Sequence, residues 1–288
     1  MLTLLEILIY GAVQSSVYAL LAIGFSLIFG VAGVVNLCHT GFFMAGAYLT
    51  YTFFSLIGIP IIPSLVISVV LVGVLGILLM RYIIKPVIKS EYSLMIITVA
   101  FVMFLQEVIL STFGPVDRDV PSFSDAAYNL FGMVTVDAQR LMTLIVAIIL
   151  MVILWYLIKR TKFGRAIQAV AQDSEGAILV GINPDKIYLQ VIFISAVLAA
   201  IAGAFIAPTI GARPTMWENP LVKVFICVVL GGLGSLGGTV LAAIIIGFTE
   251  VIVAFTLSAY LGELVAVAII LAVLSIRPTG LMGKRVEL

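Results

Sequence analysis

The sequence predicts an all-α, polytopic membrane protein with about eight transmembrane helices and one broken or half-spanning segment. Hydrophobic residues make up 63% of the 288 residues and charged residues only 10%, whereas about a quarter of an ordinary soluble domain is charged. Apolar runs of about 20 residues, the length that spans a bilayer as a helix, recur along the whole chain. We therefore expect a single transmembrane domain over residues 1–288.

Eight apolar runs have roughly the length of a transmembrane helix, and a ninth is shorter. The eight runs are residues 5–31, 41–57, 62–80, 94–113, 141–158, 187–208, 236–255 and 260–276. The ninth run, 221–230, precedes a glycine cluster, so we predict a half-span there. The first run lacks the basic start and the small-residue cleavage site of a secretory signal, so we count it as a span.

The positions of the basic residues predict the orientation of these helices, because loops that face the cytoplasm are rich in Lys and Arg. Basic residues follow the third, fifth and last spans, and they share one side if the spans alternate and the half-span crosses. They are Arg81, Lys85, Lys89, Lys159, Arg160, Lys162, Arg165, Lys186, Arg277, Lys284 and Arg285. The opposite side receives Arg118, Arg140, Arg213 and Lys223. We expect the richer side to be the cytoplasm, with the C-terminus inside and the N-terminus outside.

The connection 114–140 is external in this orientation. It carries a set of acidic residues, namely Asp117, Asp119, Asp125 and Asp137. Such a loop can meet an extracytoplasmic partner, or it can be a solvated connector of no special role. The residues leave both interpretations open.

The segment 159–186, KRTKFGRAIQAVAQDSEGAILVGINPDK, is the longest polar interruption of the chain. Apolar residues recur at three- and four-residue spacing after Gly164, which indicates a short helix. Asp173 is placed to cap a second helix, which Gly181 and Pro184 would end. We predict two short helices at the cytoplasmic surface. The basic residues alone can be an orientation signal, but an apolar, capped segment outside the bilayer indicates a protein partner.

Glycine-rich stretches at 30–48 and 231–247 interrupt the apolar segments. Irregular backbone at membrane depth is tolerated where protein buries it or where it lines a cavity, and broken segments in both halves of a chain are typical of a transport pathway. Small residues also serve tight helix packing, a lone histidine is more often structural, and Asn36 can cap the following helix. The candidate pathway residues are Asn36, His39, Gly41, Gly231, Gly232, Gly234, Ser235 and Glu250.

Glu107 and Glu250 lie within apolar runs, and Glu263 could share the environment of Glu250. Intramembrane carboxylates are costly and are therefore functional candidates. An ion-coupled secondary transporter would use these groups, or His39, to carry its ion. We expect no buried Lys or Arg among the spans, which does not favour a proton or sodium relay.

Several kinds of site are not indicated by the sequence. It has no G-x-x-x-x-G-K-[ST] loop, so we do not expect ATP binding in the P-loop manner. No nucleophile–base pair or metal-ligand cluster indicates an enzyme or a metal site, and no basic face with interleaved aromatics indicates nucleic-acid binding. If ATP drives this protein, a partner must bind the ATP, and the segment 159–186 would be where that partner docks.

Three motifs resemble those of a known family, the LivH-type permease subunits of bacterial ABC importers for branched-chain amino acids. The stretch 18–48 is similar to the family pattern G-x-x-N-x-x-x-G-x-x-x-x-G-A-Y, although Cys38 and Thr40 stand where the family more often has alanine and glycine. The stretch 164–182 looks like the family's cytoplasmic coupling segment, with Gly176 in place of a usual alanine. The third motif is VVLGGLGSLGGTVLAAIIIGFTE, followed by RPTGLMG.

The resemblance implies a transport subunit of the bacterial inner membrane, which is not itself an enzyme and holds no cofactor. Its implied partners are a second, similar permease, two cytoplasmic ATPases that bind the ATP, a periplasmic binding protein and the amino-acid substrate. Part of the segment 159–186 would insert into a groove of an ATPase. The implied coupling residues are Arg165, Ala169, Gln172, Asp173, Glu175, Gly176, Ala177 and Gly181. Relatives in the wider family import urea, short amides and other amino acids, so those substrates stay open, as does an ion-coupled secondary transporter.

Overall fold

The computed structural model describes residues 2–88, 90–130, 134–277 and 279–282. It confirms the predicted class, because 6 of its helices are long and apolar enough to cross a membrane. The other two predicted spans, 41–57 and 260–276, are also largely helical but are not among these 6 helices. Lys89, Lys284 and Arg285, which contribute to the predicted orientation, lie outside the described residues.

The N-terminal part of the chain forms five α-helices with two π-helical turns. The α-helices are α1 (Leu2–Ala32), α2 (His39–Tyr51), α3 (Ile61–Leu79), α4 (Lys85–Val87) and α5 (Glu91–Phe113). One π-helical turn, Thr52–Leu56, extends α2, and the other, Met80–Ile84, joins α3 to α4 without a break.

The C-terminal part contains a β-hairpin and seven further helices in the described residues. The elements are β1 (Ala127–Leu130), β2 (Val134–Asp137), α6 (Ala138–Arg160), α7 (Lys162–Gln172), α8 (Ser174–Leu179), α9 (Pro184–Ile210), α10 (Glu218–Gly231), α11 (Leu236–Thr256) and α12 (Ala259–Ile276). The antiparallel hairpin lies in the connection 114–140 and is a detail that the sequence did not predict. Two four-residue strands outside the membrane are too short to leave a clear alternating pattern in the sequence.

The first helix is the central element of the fold. In α1, 83% of the most apolar stretch is buried, against 22–28% in α3, α5 and α6. α1 packs against α6, α9, α10 and α11. Because lipid tails are as apolar as leucine side chains, the outer helices can leave their apolar residues exposed, whereas most of α1 packs against protein.

Two ends of the molecule can be distinguished. An ion pair of 2.7 Å between Lys85 and Asp185 joins α4 to the start of α9, next to α7 and α8. At the other end, backbone hydrogen bonds of 2.8 and 2.9 Å link Arg118 to Ala212, beside the hairpin. We call these ends the α7–α8 face and the hairpin face. The segment after α12 returns to the α7–α8 face, where Leu281 N donates to Leu230 O at 2.8 Å.

The predicted broken segment is confirmed at the junction of α10 and α11. α10 has 14 residues, or roughly 21 Å of helix, which is shorter than the hydrocarbon core of about 30 Å. Gly232 and Gly234 then adopt φ values of +99° and +80°, which are left-handed conformations that glycine reaches without strain. The chain thereby reverses direction and begins α11 at Leu236.

Glycines also bring α2 and α9 into unusually close contact. A Cβ atom built at Gly203 would clash with the backbone carbonyl of Phe43, and one built at Gly46 would clash with the backbone of Ala200. Small residues allow such close approach in membrane proteins, where van der Waals packing holds helices together. The two glycines therefore fix how deeply α2 sits against α9.

Candidate functional site

α7 lies on the end of α6 as an amphipathic helix. The Thr161 hydroxyl caps its start by accepting a hydrogen bond from Gly164 N at 3.1 Å. Ile167 and Val170 are buried on its inner side, and a Cβ atom at Gly164 would clash with the Ile158 carbonyl. α7 contacts α1, α6 and α9, so it is held rigidly against three membrane-spanning helices.

α8 follows after the cap that the sequence predicts. The Asp173 carboxylate accepts a hydrogen bond from Glu175 N at 3.0 Å, which confirms Asp173 as the N-cap. Ala177 is buried beneath the helix. Gly181, with a φ of +81°, follows its end. The two short helices of the segment 159–186 are therefore confirmed, each with a side-chain cap.

The outer surface of this segment carries an exposed apolar patch. Ile178, Leu179 and Val180 are 59%, 88% and 74% exposed, and they lie outside the helices of membrane-spanning length. We call these three residues the α8 patch. Contiguous apolar surface outside the bilayer marks an interaction site. The coupling residues taken from the sequence omitted all three, although three consecutive apolar residues before a helix-ending glycine are visible there.

The predicted coupling residues differ in how deeply their side chains are buried. Arg165, Gln172, Asp173, Glu175 and Gly181 are exposed, Ala169 and Gly176 are half-buried, and Ala177 is buried. A Cβ atom at Gly176 would press against the Asp173 carboxylate. Gly176 and Ala177 therefore hold α8 in shape, and the exposed residues together with the α8 patch form its surface toward a partner.

His39 cross-links two helices at the buried start of α2. Its Nε2 lies 3.0 Å from Leu21 O, and its Nδ1 lies 3.1 Å from Ser195 Oγ. Because a carbonyl oxygen only accepts, Nε2 of the neutral ring carries the hydrogen and Nδ1 is an acceptor. The single Ser195 hydroxyl hydrogen lies between two acceptors, Nδ1 and Gly24 O, which is 2.8 Å from Ser195 Oγ. The ring is fully buried and both nitrogens have partners. This geometry favours a structural role, tying α2 to α1 and α9.

Asn36 and Gly41 are likewise enclosed by protein. Asn36 Oδ1 accepts a hydrogen bond from Cys38 N at 3.1 Å, just before α2 begins. Its Nδ2 has no hydrogen-bond partner among the described residues. A Cβ atom at Gly41 would lie 2.7 Å from a methyl group of Val102 in α5, so this glycine serves close packing.

The glycine cluster borders a cavity at the α7–α8 face. This cavity has a volume of about 630 Å³ and lies between α1, α6, α7 and α11. Gly234 and Ser235 line it, together with Ser26 and Gly30 of α1. Gly231 and Gly232 form the adjoining turn, in which a Cβ atom at Gly231 would clash with Gly238. We call this space the inner cavity.

A second cavity, of about 270 Å³, lies toward the hairpin face. Lys223, only 3% exposed, donates to Glu250 Oε1 at 3.1 Å. Tyr18 donates its hydroxyl hydrogen to Glu250 Oε2 at 2.7 Å. The burial of Lys223 corrects the expectation that the spans contain no buried Lys or Arg. We call this space the outer cavity.

The two cavities lie on opposite sides of α1. Tyr18 and Leu21 line the outer cavity, whereas Ser26 and Gly30 line the inner cavity. With 3.6 residues per turn, the two sets project about a third of a turn apart around the helix. The structure therefore separates the predicted pathway residues: Glu250 borders one cavity, Gly234 and Ser235 border the other, and Asn36, His39 and Gly41 are packed between helices.

The sequence matches a protein family and several of its members. A family model described as the permease component of the branched-chain amino acid transport system matches residues 7–274. The high-affinity branched-chain amino acid transport system permease protein LivH of Escherichia coli (strain K12) is 28% identical over 290 aligned residues, covering 95% of this chain and 94% of LivH. BraD of Pseudomonas aeruginosa, a permease protein of the same description, is 26% identical over 295 residues, covering 97% and 96%.

A second type of permease and a solved structure are also similar. LivM of Escherichia coli (strain K12), another permease protein of the branched-chain amino acid system, is 28% identical over 263 residues, covering 82% of this chain and 61% of LivM. The solved structure described as PsaBC from Streptococcus pneumoniae in complex with Fab matches with a TM-score of 0.55, at 12% identity. It covers 95% of this chain and 92% of the other, and at this identity the likeness shows the fold.

Proposed function

Because this chain belongs to the family of permease components of branched-chain amino acid transport systems, we propose that it is the membrane-spanning subunit of a bacterial ATP-driven importer for branched-chain amino acids. The α8 patch is the observation that carries the ATP-driven part of this proposal. Apolar side chains on a rigid, capped helix outside the membrane need a protein to cover them. In this proposal the covering protein is an ATPase that binds the ATP.

The attachment of α7 and α8 supports a coupling role. α7 packs against α1, α6 and α9, and α8 packs against α7 and α9. A movement imposed on the α8 patch would thus reach the central helix α1 through packed side chains. Packed interfaces respond to such a movement by switching between discrete arrangements, which is what coupling of ATP binding to transport requires.

The proposed assembly contains a second permease, two ATPases on the α7–α8 face and a substrate-binding protein on the hairpin face. The similarity to both LivH and LivM supports a related second permease. Lys159, Arg160, Lys162, Arg165 and Lys186 lie on or beside α7 and α8. Since positive charge favours the cytoplasm, we propose that this face and the C-terminus are cytoplasmic and that the membrane is the bacterial inner membrane.

Uptake by the reconstituted importer tests the proposed function. We expect proteoliposomes with this chain, its ATPases, its partner permease and its binding protein to accumulate radiolabelled leucine only when ATP hydrolysis is possible. Excess isoleucine and valine should compete, and urea or acetamide should not. The control omits the ATPase subunits.

Two results would contradict the proposal in different ways. Leucine uptake by the permease alone, driven by a proton or sodium gradient, would identify a secondary transporter. ATP-dependent uptake of urea or acetamide, with no uptake of leucine, would mean that the chain belongs to an ATP-driven importer with a different substrate.

A further inference from the structure

We propose that the outer cavity binds the zwitterionic headgroup of an amino acid, with the Lys223 ammonium on its carboxylate and the Glu250 carboxylate on its ammonium. The inference rests on the proposed function and deepens it, because it names a binding site and the ligand chemistry of that site. It starts from an ion pair that is unusual for its position. Lys223 is 3% exposed and lies on α10, whose other buried residues are apolar or glycine.

The pair lies well inside the molecule. Lys223 comes 5 residues after Glu218, where α10 begins, and Glu250 comes 6 residues before Thr256, where α11 ends. At 1.5 Å per residue, both groups are about 8–9 Å from the helix ends at the hairpin face. Ionisable groups at membrane depth are costly, and they commonly mark substrate pathways.

The hydrogen bonds of the pair leave capacity for a ligand. The Lys223 ammonium has three hydrogens to donate, and Glu250 Oε1 is its one hydrogen-bond partner among the described residues. Glu250 is held from its other side by Tyr18, which fixes the carboxylate at the wall of the cavity. Both charged groups border the same cavity.

A zwitterion fits this pair because it can replace the pair's own contact without leaving a charge unmatched. When a headgroup lies between Lys223 and Glu250, one ion pair becomes two and the net charge of the cavity stays unchanged. A ligand with only an ammonium would leave the buried Lys223 uncompensated, and one with only a carboxylate would leave the partly buried Glu250 uncompensated. Loss of the partner of a buried charge is strongly unfavourable. The cavity should therefore distinguish amino acids from their deaminated and decarboxylated analogues.

The remaining walls and the size of the cavity suit a small aliphatic side chain. Val17, Leu21, Phe43, Ile206 and Met216 contribute apolar surface. The volume of about 270 Å³ is near the lower end of small-molecule pockets, which begin at about 300 Å³. Arg213, Glu218 and Asn219 also border the cavity on the connection between α9 and α10 and the first turn of α10, at the hairpin face. A binding protein on that face would release its amino acid beside this opening.

Ligand binding to the membrane complex without the binding protein tests the site directly. The complex of both permeases and both ATPases is incubated with radiolabelled leucine in equilibrium dialysis. We expect saturable binding that unlabelled leucine displaces. Equal concentrations of 4-methylpentanoate, which lacks the ammonium, or of 3-methylbutylamine, which lacks the carboxylate, should displace at least 10-fold less.

Paired substitutions distinguish a loss of leucine recognition from a loss of folding. Lys223→Met with Glu250→Gln removes both charges together and keeps similar side-chain volumes, so the fold should be retained. We expect at least a 10-fold loss of leucine binding and of uptake, with unchanged thermal unfolding. The control is Lys85→Met with Asp185→Asn, which removes the exposed ion pair at the opposite face and should bind leucine as the unaltered complex does. Tyr18→Phe keeps both charges and should weaken binding less than the double variant.

Three results would overturn the inference. They are leucine binding by the double variant equal to that of the unaltered complex, equal displacement by the single-charge analogues, and no leucine binding by the unaltered complex. In each of these cases, ATP-driven leucine uptake by the unaltered importer would leave the proposed function standing. Absence of that uptake would remove the proposed function as well.

Discussion

Leu179→Glu is expected to abolish ATP-driven leucine uptake while leaving the permease folded. Leu179 is 88% exposed, so its side chain contributes little to the fold, and a carboxylate at this place is fully solvated in the free subunit. In the docked complex the same carboxylate would be buried without a partner, a situation that costs several kcal/mol. Since each 1.4 kcal/mol is tenfold in affinity, we expect ATPase binding to fall at least ~100-fold.

The measurement is leucine uptake together with co-purification of the ATPase. A matched control is Val116→Glu, because Val116 is also an exposed apolar residue, at 67%, and lies near the hairpin face. The control should keep its ATPase. Gly176 and Ala177 are less suitable positions, since they are partly or fully buried and substitutions there would deform α8. Normal uptake by Leu179→Glu would remove the α8 patch from the coupling site.

Gly203→Ala is expected to prevent stable folding. Its Cβ atom would clash with the Phe43 backbone carbonyl, and a backbone atom cannot move aside by changing rotamer. Overpacking against side chains costs about 1–3 kcal/mol, so a backbone clash should cost at least ~3 kcal/mol by separating α2 from α9. We expect little monodisperse protein by size-exclusion chromatography and a lower unfolding temperature for what remains.

Gly237→Ala is the matched control for this prediction. Gly237 also lies in a membrane helix, in the first turn of α11. A Cβ atom there would have the Met282 sulfur at 3.8 Å as its one neighbour among the described residues, which is an ordinary van der Waals distance. This variant should fold like the unaltered chain. If Gly203→Ala folded equally well, the close contact of α2 with α9 would not be a requirement of the fold.

The segment 159–186 could be predicted in detail because its determinants are local. Spacing of apolar residues, the Asp173 cap and the terminal Gly181 act within a few residues of one another. The structure therefore reproduces both helices. The surface of the segment was harder to predict, because burial of Ala177 and exposure of Leu179 depend on how α8 lies against α9. Burial at these positions depends on tertiary contacts, which the spacing of apolar residues in a six-residue helix does not reveal.

The outer cavity could not be predicted because its residues meet only in the fold. Lys223 is 27 residues from Glu250, and Tyr18 is 232 residues from it. The orientation pattern placed Lys223 with the outward basic residues, whereas α10 carries its side chain into the protein. Asn36 and His39 show the opposite case. Their polar character among glycines suggested a pathway, but the same pattern arises when a histidine joins helices and an asparagine accepts a hydrogen bond from the backbone just before a helix.

Cross-linking at position 179 tests most directly whether the α8 patch docks an ATPase. A photoreactive amino acid replaces Leu179 in the intact importer in membrane vesicles, and the cross-linked partner is identified by mass spectrometry. We expect a specific adduct with the P-loop subunit, which the same probe at Val116 does not form. Normal leucine uptake with no ATPase adduct at position 179 would contradict the proposed coupling site.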